Sequence, residues 1–134
     1  IPELGFDEHE TAAAVRAWLA ERGLDAGPPL DGTTGFVVEI AGARPGPTVA
    51  YRADMDALPI AEATGAPYAS ERPGRMHACG HDAHMAVACG VASLVHARRD
   101  DLAGLVLMQF LPFGDEAALR VLAAVEAATY QAHS

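Results

Sequence analysis

Asp82-Ala-His-Met-Ala-Val-Ala-Cys-Gly-Val-Ala-Ser-Leu-Val-His-Ala97 is apolar almost all the way round. A helix of that composition hides itself against a sheet rather than floating one face in water. Strands to receive it lie on both sides. Phe36 to Ile40 and Thr48 to Arg52 precede it, and Leu105 to Phe110 follows it. The first two are joined by Ala41-Gly-Ala-Arg-Pro-Gly-Pro47, whose turn chemistry predicts a hairpin. Farther out, Asp7 with Glu10 reads as a capping box, opening a helix with Val15, Trp18 and Leu19 along its inner stripe and Gly23 at its stop. Ala57 to Gly80 has little periodicity and reads as an ordered loop, and Asp115 opens a last helix with Leu119, Leu122 and Val125 inward. Helix, two strands, helix, strand, helix is a small layered α/β unit.

Composition narrows the function classes. The chain has 134 residues, 51% apolar and 20% charged, which suits one globular domain. Its formal charge of -9 argues against nucleic acid or an anionic membrane surface as partner. No apolar run approaches the roughly 20 residues that cross a bilayer. The opening Ile-Pro-Glu-Leu-Gly-Phe6 lacks the basic-then-apolar pattern of a secretory signal. Cys79 and Cys89 do not make a disulfide framework, so a reducing, cytoplasmic setting is expected.

Two clusters carry chemistry. In Met76-His-Ala-Cys-Gly-His-Asp-Ala-His84, thiolate and imidazole are good ligands for zinc and similar metals. If the segment is extended, Cys79 and His81 point to one side and Gly80 lets the backbone come close. The alternative makes His77, His81 and His84 the polar face of a longer helix, which Gly80 disfavours. His84 and Asp82 fit a supporting place beside the ligands, and His77 is open either way. Cys89 reads as a small core residue.

The second cluster is Arg52, Asp54 and Asp56. Strand alternation sets these three on one side, with Ala53 and Met55 on the other. They fall beyond the carboxyl end of a strand, where α/β sheets bind ligands. A carboxylate there can hold a cation, orient a histidine or tune a base. An Arg–Asp surface pair is the plainer alternative.

Together, Tyr51-Arg-Ala-Asp-Met-Asp-Ala-Leu-Pro59 and Met76-His-Ala-Cys-Gly-His-Asp-Ala-His84 resemble the aminoacylase, hippurate-hydrolase and auxin-conjugate-hydrolase branch of the zinc-peptidase-like amidohydrolases. Pro2-Glu-Leu-Gly-Phe-Asp-Glu-His-Glu-Thr11 resembles the approach to that family's first helix. The resemblance implies a reduced zinc-peptidase-like (phosphorylase/hydrolase-like) catalytic domain over 1–134. Residues 1–110 match the family's N-terminal part, and 113–134 resemble its closing helix. It implies that Cys79 and His81 are metal ligands, that Asp56 supports the site, and that Asp54 stands where related branches place a ligating histidine. Where the family continues Gln-Pro-Ala-Glu-Glu, this chain has Gln109-Phe-Leu-Pro-Phe-Gly-Asp-Glu116. The lid domain, the remaining catalytic strands and two further histidines have no counterpart.

The implied chemistry is hydrolysis of amides in N-acyl amino acids or small peptides, using one or two divalent ions (Zn, Mn, Co or Ni). Catalytic zinc usually takes three protein ligands, so Asp54, His77, His84, Asp115 or Glu116 must add to Cys79 and His81. Glu116 is the candidate for the missing base, although Asp115 as N-cap and Glu116 as a first-turn acid is the plainer account. A non-catalytic metal- or ligand-binding remnant, or a site turned to other chemistry, is the alternative. An open sheet with uncovered apolar faces points to a homodimer.

Overall fold

The structure, a computed structural model, describes residues 1–111. It consists of helix α1 (His9–Ala20), strands β1 (Phe36–Ala41) and β2 (Arg44–Asp54), helix α2 (His81–Ala97), a single 3-10 turn (Arg99–Asp101) and strand β3 (Ala103–Leu111). This is the expected α/β order. The helix expected after Asp115 lies outside the described residues.

The expected hairpin does not form. The sheet order is β1-β3-β2, with β1 antiparallel and β2 parallel to β3. Consecutive strands part because β3 is apolar enough to demand burial, and a buried strand needs partners on both edges. Glycines let it slip between them. Gly42 donates its N–H to the Gly104 carbonyl at 2.8 Å, and a Cβ on Gly42 would lie only 2.7 Å from the Leu102 carbonyl oxygen. The route from β2 through α2 to β3 is then a parallel crossover, which places α2 against the sheet.

The core forms between that sheet and the helices. Phe36, Val38 and Ile40 of β1 and Met108 and Phe110 of β3 are buried, and Phe36 stacks on Phe110 with ring centroids 5.0 Å apart. Leu19 of α1 and Met85, Ala88, Cys89 and Ala92 of α2 close it, with Val15 and Trp18 packed at its margin. Cys89 is the core residue expected. Helix α2 is not buried all round, however: Val87 and Leu94 are 54% and 70% exposed. Its inner residues are small because close approach to the sheet leaves little room, while its outer apolar residues have no cover among the described residues.

Helix α1 opens differently from the expected capping box. Asp7 sits before the helix and faces His9 at 3.7 Å. The cap is Glu3, whose carboxylate accepts the backbone N–H of Glu10 (3.2 Å) and Thr11 (2.7 Å) and the Thr11 hydroxyl (2.8 Å). A turn at Phe6, with φ of 68°, folds the chain back and makes this possible. At the other end Gly23 takes φ of 74° and Leu24 donates to the Leu19 carbonyl at 3.1 Å, the expected stop.

Candidate metal centre

Strand β2 delivers the acidic cluster as its alternation requires. Ala53 and Met55 are buried at 2% and 0%, which turns Arg52, Asp54 and Asp56 the other way. Arg52 forms an ion pair with Asp54 Oδ1. Met55 anchors the strand end in the core, so Asp54 and Asp56 are held rather than swinging in solvent.

The other cluster departs from the extended geometry expected of it. His77 to Gly80 is a turn closed by the Gly80 N–H on the His77 carbonyl at 3.0 Å, and Gly80 caps α2 with φ of 74°. Strand-like alternation is lost, so Cys79 is exposed whereas His81 is buried. The left-handed Gly80 separates them.

His81 instead joins the aspartates. Its Nδ1 lies 2.9 Å from the Asp56 main-chain oxygen and 3.1 Å from Asp56 Oδ1. Both are acceptors when the carboxyl is ionised, so Nδ1 carries the proton and donates to Asp56. In the neutral ring the lone pair is then on Nε2, which lies 3.9 Å from Asp54 Oδ2. A carboxylate that orients a histidine from behind is the usual support for a metal-binding imidazole. Asp54 and His81 therefore suit a cation as a pair of donors. Among the described residues no three His, Cys, Asp or Glu side chains are grouped to hold an ion, so this pair is not a full shell.

The surrounding residues fall as follows. His77 is half-buried, and its buried Nδ1 has no hydrogen-bond partner among the described residues. Burial pushes its pKa down, against the pull of the Asp82 charge and the Asp56 backbone. Asp82 is exposed and accepts the Ala83 N–H at 2.9 Å. His84 is exposed, its ring 5.7 Å from that of His81. Glu116 and Asp115 lie outside the described residues. Sequence reading missed Glu8, a fully buried carboxyl that accepts the Thr34 hydroxyl. Its partner is 26 positions away, and no local pattern signals such a pair.

The model of peptidase family M20/M25/M40 matches residues 50–116, half of the chain and both clusters. The chain belongs to that family. An N-acetylcysteine deacetylase of Bacillus subtilis is 46% identical over 117 residues, covering 87% of this chain and 31% of that protein. An N-acetyldiaminopimelate deacetylase of Anoxybacillus flavithermus is 47% identical over 104 residues, covering 76% and 28%. The crystal structure of the Bacillus subtilis YXEP protein, described as a dinuclear metal binding peptidase, superposes with a TM-score of 0.83 at 43% identity, over 94% of this chain and 36% of that one. The chain thus spans about a third of the length of these M20/M25/M40 proteins.

Proposed function

We propose that this chain carries part of a metal-dependent centre that hydrolyses amide bonds in N-acyl amino acids or small peptides. The observation that carries the reading is the line from Asp56 through the His81 ring to Asp54. It orients one imidazole nitrogen toward a carboxylate held by Arg52. The N-acyl substrate class is supported by the two deacetylases, and the use of one or two ions by the dinuclear neighbour.

In this reading residues 1–134 carry part of a catalytic domain. His81 and Asp54 would hold a divalent transition metal (Zn, Mn, Co or Ni), with the Cys79 thiolate as a further ligand. Asp56 holds the His81 tautomer. When bound, such an ion supplies Lewis acidity toward the amide carbonyl. Glu116 takes the proton from the attacking water. His77, Asp82 and His84 flank the ligands and set their electrostatics. Two free cysteines, one exposed, suit a reducing cytoplasmic setting. No helix among the described residues is long and apolar enough to cross a membrane. A homodimer would shield the exposed residues of α2.

The test is hydrolysis of N-acetyl and N-benzoyl amino acids by the full chain with each of the four metals, beside calorimetric titration of the same ions. Metal-dependent turnover is expected. A specific observation favours a second reading, a binding remnant without catalysis: only two donors converge among the described residues. One weakly held ion without turnover in a folded sample selects that reading and removes the first.

A further inference from the structure

Glu8 is the least exposed charged residue described, at 0%, and stands at the start of α1. One carboxyl oxygen accepts the Thr34 hydroxyl, and the other, Oε1, has no hydrogen-bond partner among the described residues. A core position needing only volume is better filled by leucine, because a half-satisfied carboxyl is costly to bury. The place therefore calls for a polar function, and its neighbours show which.

Between Glu3 and Glu8 the chain forms a loop that backs Asp56. The Ala57 N–H donates to the Glu3 carbonyl at 2.6 Å, and Leu4 bridges Ala57. Gly5 lies flat against the aspartate: a Cβ there would be 3.8 Å from Asp56 Cβ and 4.0 Å from Oδ2. The same aspartate presents Oδ1 to His81. One end of the loop is pinned by the Glu3 carboxylate on Thr11, and the other end by Glu8 on Thr34. We propose that Glu8, through its bond to Thr34, is a positioning residue that fixes loop 3–8 as the wall behind Asp56 and thereby fixes the Asp56–His81 hydrogen bond. Burial pushes the Glu8 carboxyl above its usual range, the Thr34 hydroxyl holds it back, and the Asp56 charge adds to the rise, as nearby carboxyls require.

This rests on Asp56 and His81 being site residues, yet it can be tested without turnover. The readout is the His81 Nδ1 proton in the histidine-labelled full chain, followed by nitrogen-proton NMR. That proton persists whether or not Nε2 holds an ion. Thr34→Val removes the hydroxyl at nearly constant shape, and Glu8→Leu removes the carboxyl. Each is expected to speed exchange of the His81 Nδ1 proton with solvent by about tenfold. Thr34→Ser and Glu8→Gln, which keep a hydrogen-bonding partner, are expected to restore the wild-type rate. A structural role alone would lower the melting temperature and leave that proton unchanged. Unchanged exchange in folded Thr34→Val overturns the inference, whether or not the chain hydrolyses amides. If Glu8→Leu does not fold, the Thr34 pair decides. Absent hydrolysis with the tenfold change intact would remove the enzymatic reading and leave this one standing.

Discussion

Glu3 and Asp56 each do with one carboxylate what a sequence pattern would assign to several residues. Glu3 is buried yet its pKa is lowered: burial pushes it up, but the Thr11 backbone and hydroxyl, the Glu10 N–H and the Arg72 charge outweigh that. A carboxyl whose pKa is depressed in the folded state stabilises above its unfolded-state pKa, and that contribution disappears as pH falls through the folded value. Glu3→Gln should therefore destabilise by about 1 kcal/mol at neutral pH. The gap to wild type should close at acid pH, as checked by urea denaturation from pH 7 to pH values below the ordinary glutamate range. If His81 holds a divalent ion as proposed, Asp56→Asn should weaken binding of that ion by about 10- to 100-fold, the usual cost of losing support behind a ligating histidine, as read by calorimetry with each of the four metals. At this scale Asp54 and Asp56 were legible in the sequence, because a period of two with Ala53 and Met55 in the core leaves them one direction to face. The geometry of Cys79 was not, because Gly80 adopts the left-handed region and breaks the alternation on which that reading relied. Glu3 and Glu8 were illegible for another reason: their partners come from chain reversal, not from spacing.

Among the elements, the two helices and three strands could be read from periodicity, and the pairing of the strands could not. The turn-rich stretch 41–47 promised a hairpin, whereas its glycines serve close approach to the start of β3. Gly104 makes the point testable. It takes φ of 103°, and a Cβ there would run into the Pro47 carbonyl. Gly104→Ala therefore combines a strained backbone with a clash against main chain, and should cost about 3 kcal/mol or more. Gly32 is the matched control: φ is 75° and nothing lies within 4 Å of an added Cβ. Gly32→Ala should cost about 1 kcal/mol, the left-handed penalty alone. Equal losses in the two variants, measured by chemical denaturation, would mean that β3 does not thread between β1 and β2 as described.

For the molecule as a whole, the question is what covers the apolar surface that α2 turns outward. Val87 and Leu94 lie seven positions apart on one helical face, both more than half exposed, with the half-buried Val91 between them. Exposed apolar stripes of this kind are association surfaces in proteins that remain in solution. The chain carries a formal charge of -9, so two copies repel at long range, and the proposed contact between them would have to come from apolar burial. Salt then has a definite sign. Raising sodium chloride screens the repulsion without weakening hydrophobic contact, so it should strengthen the proposed dimer, whereas an ion-paired interface would loosen. Light scattering across a concentration series should give twice the chain mass at high concentration, with the midpoint moving lower as salt rises. Val87→Glu with Leu94→Glu should return the mass to that of one chain while leaving the far-ultraviolet dichroism intact, because neither side chain is needed by the core. A monomer at every concentration and salt would show that α2 needs no second copy, and dissociation by salt would place the contact on charged groups instead of this stripe.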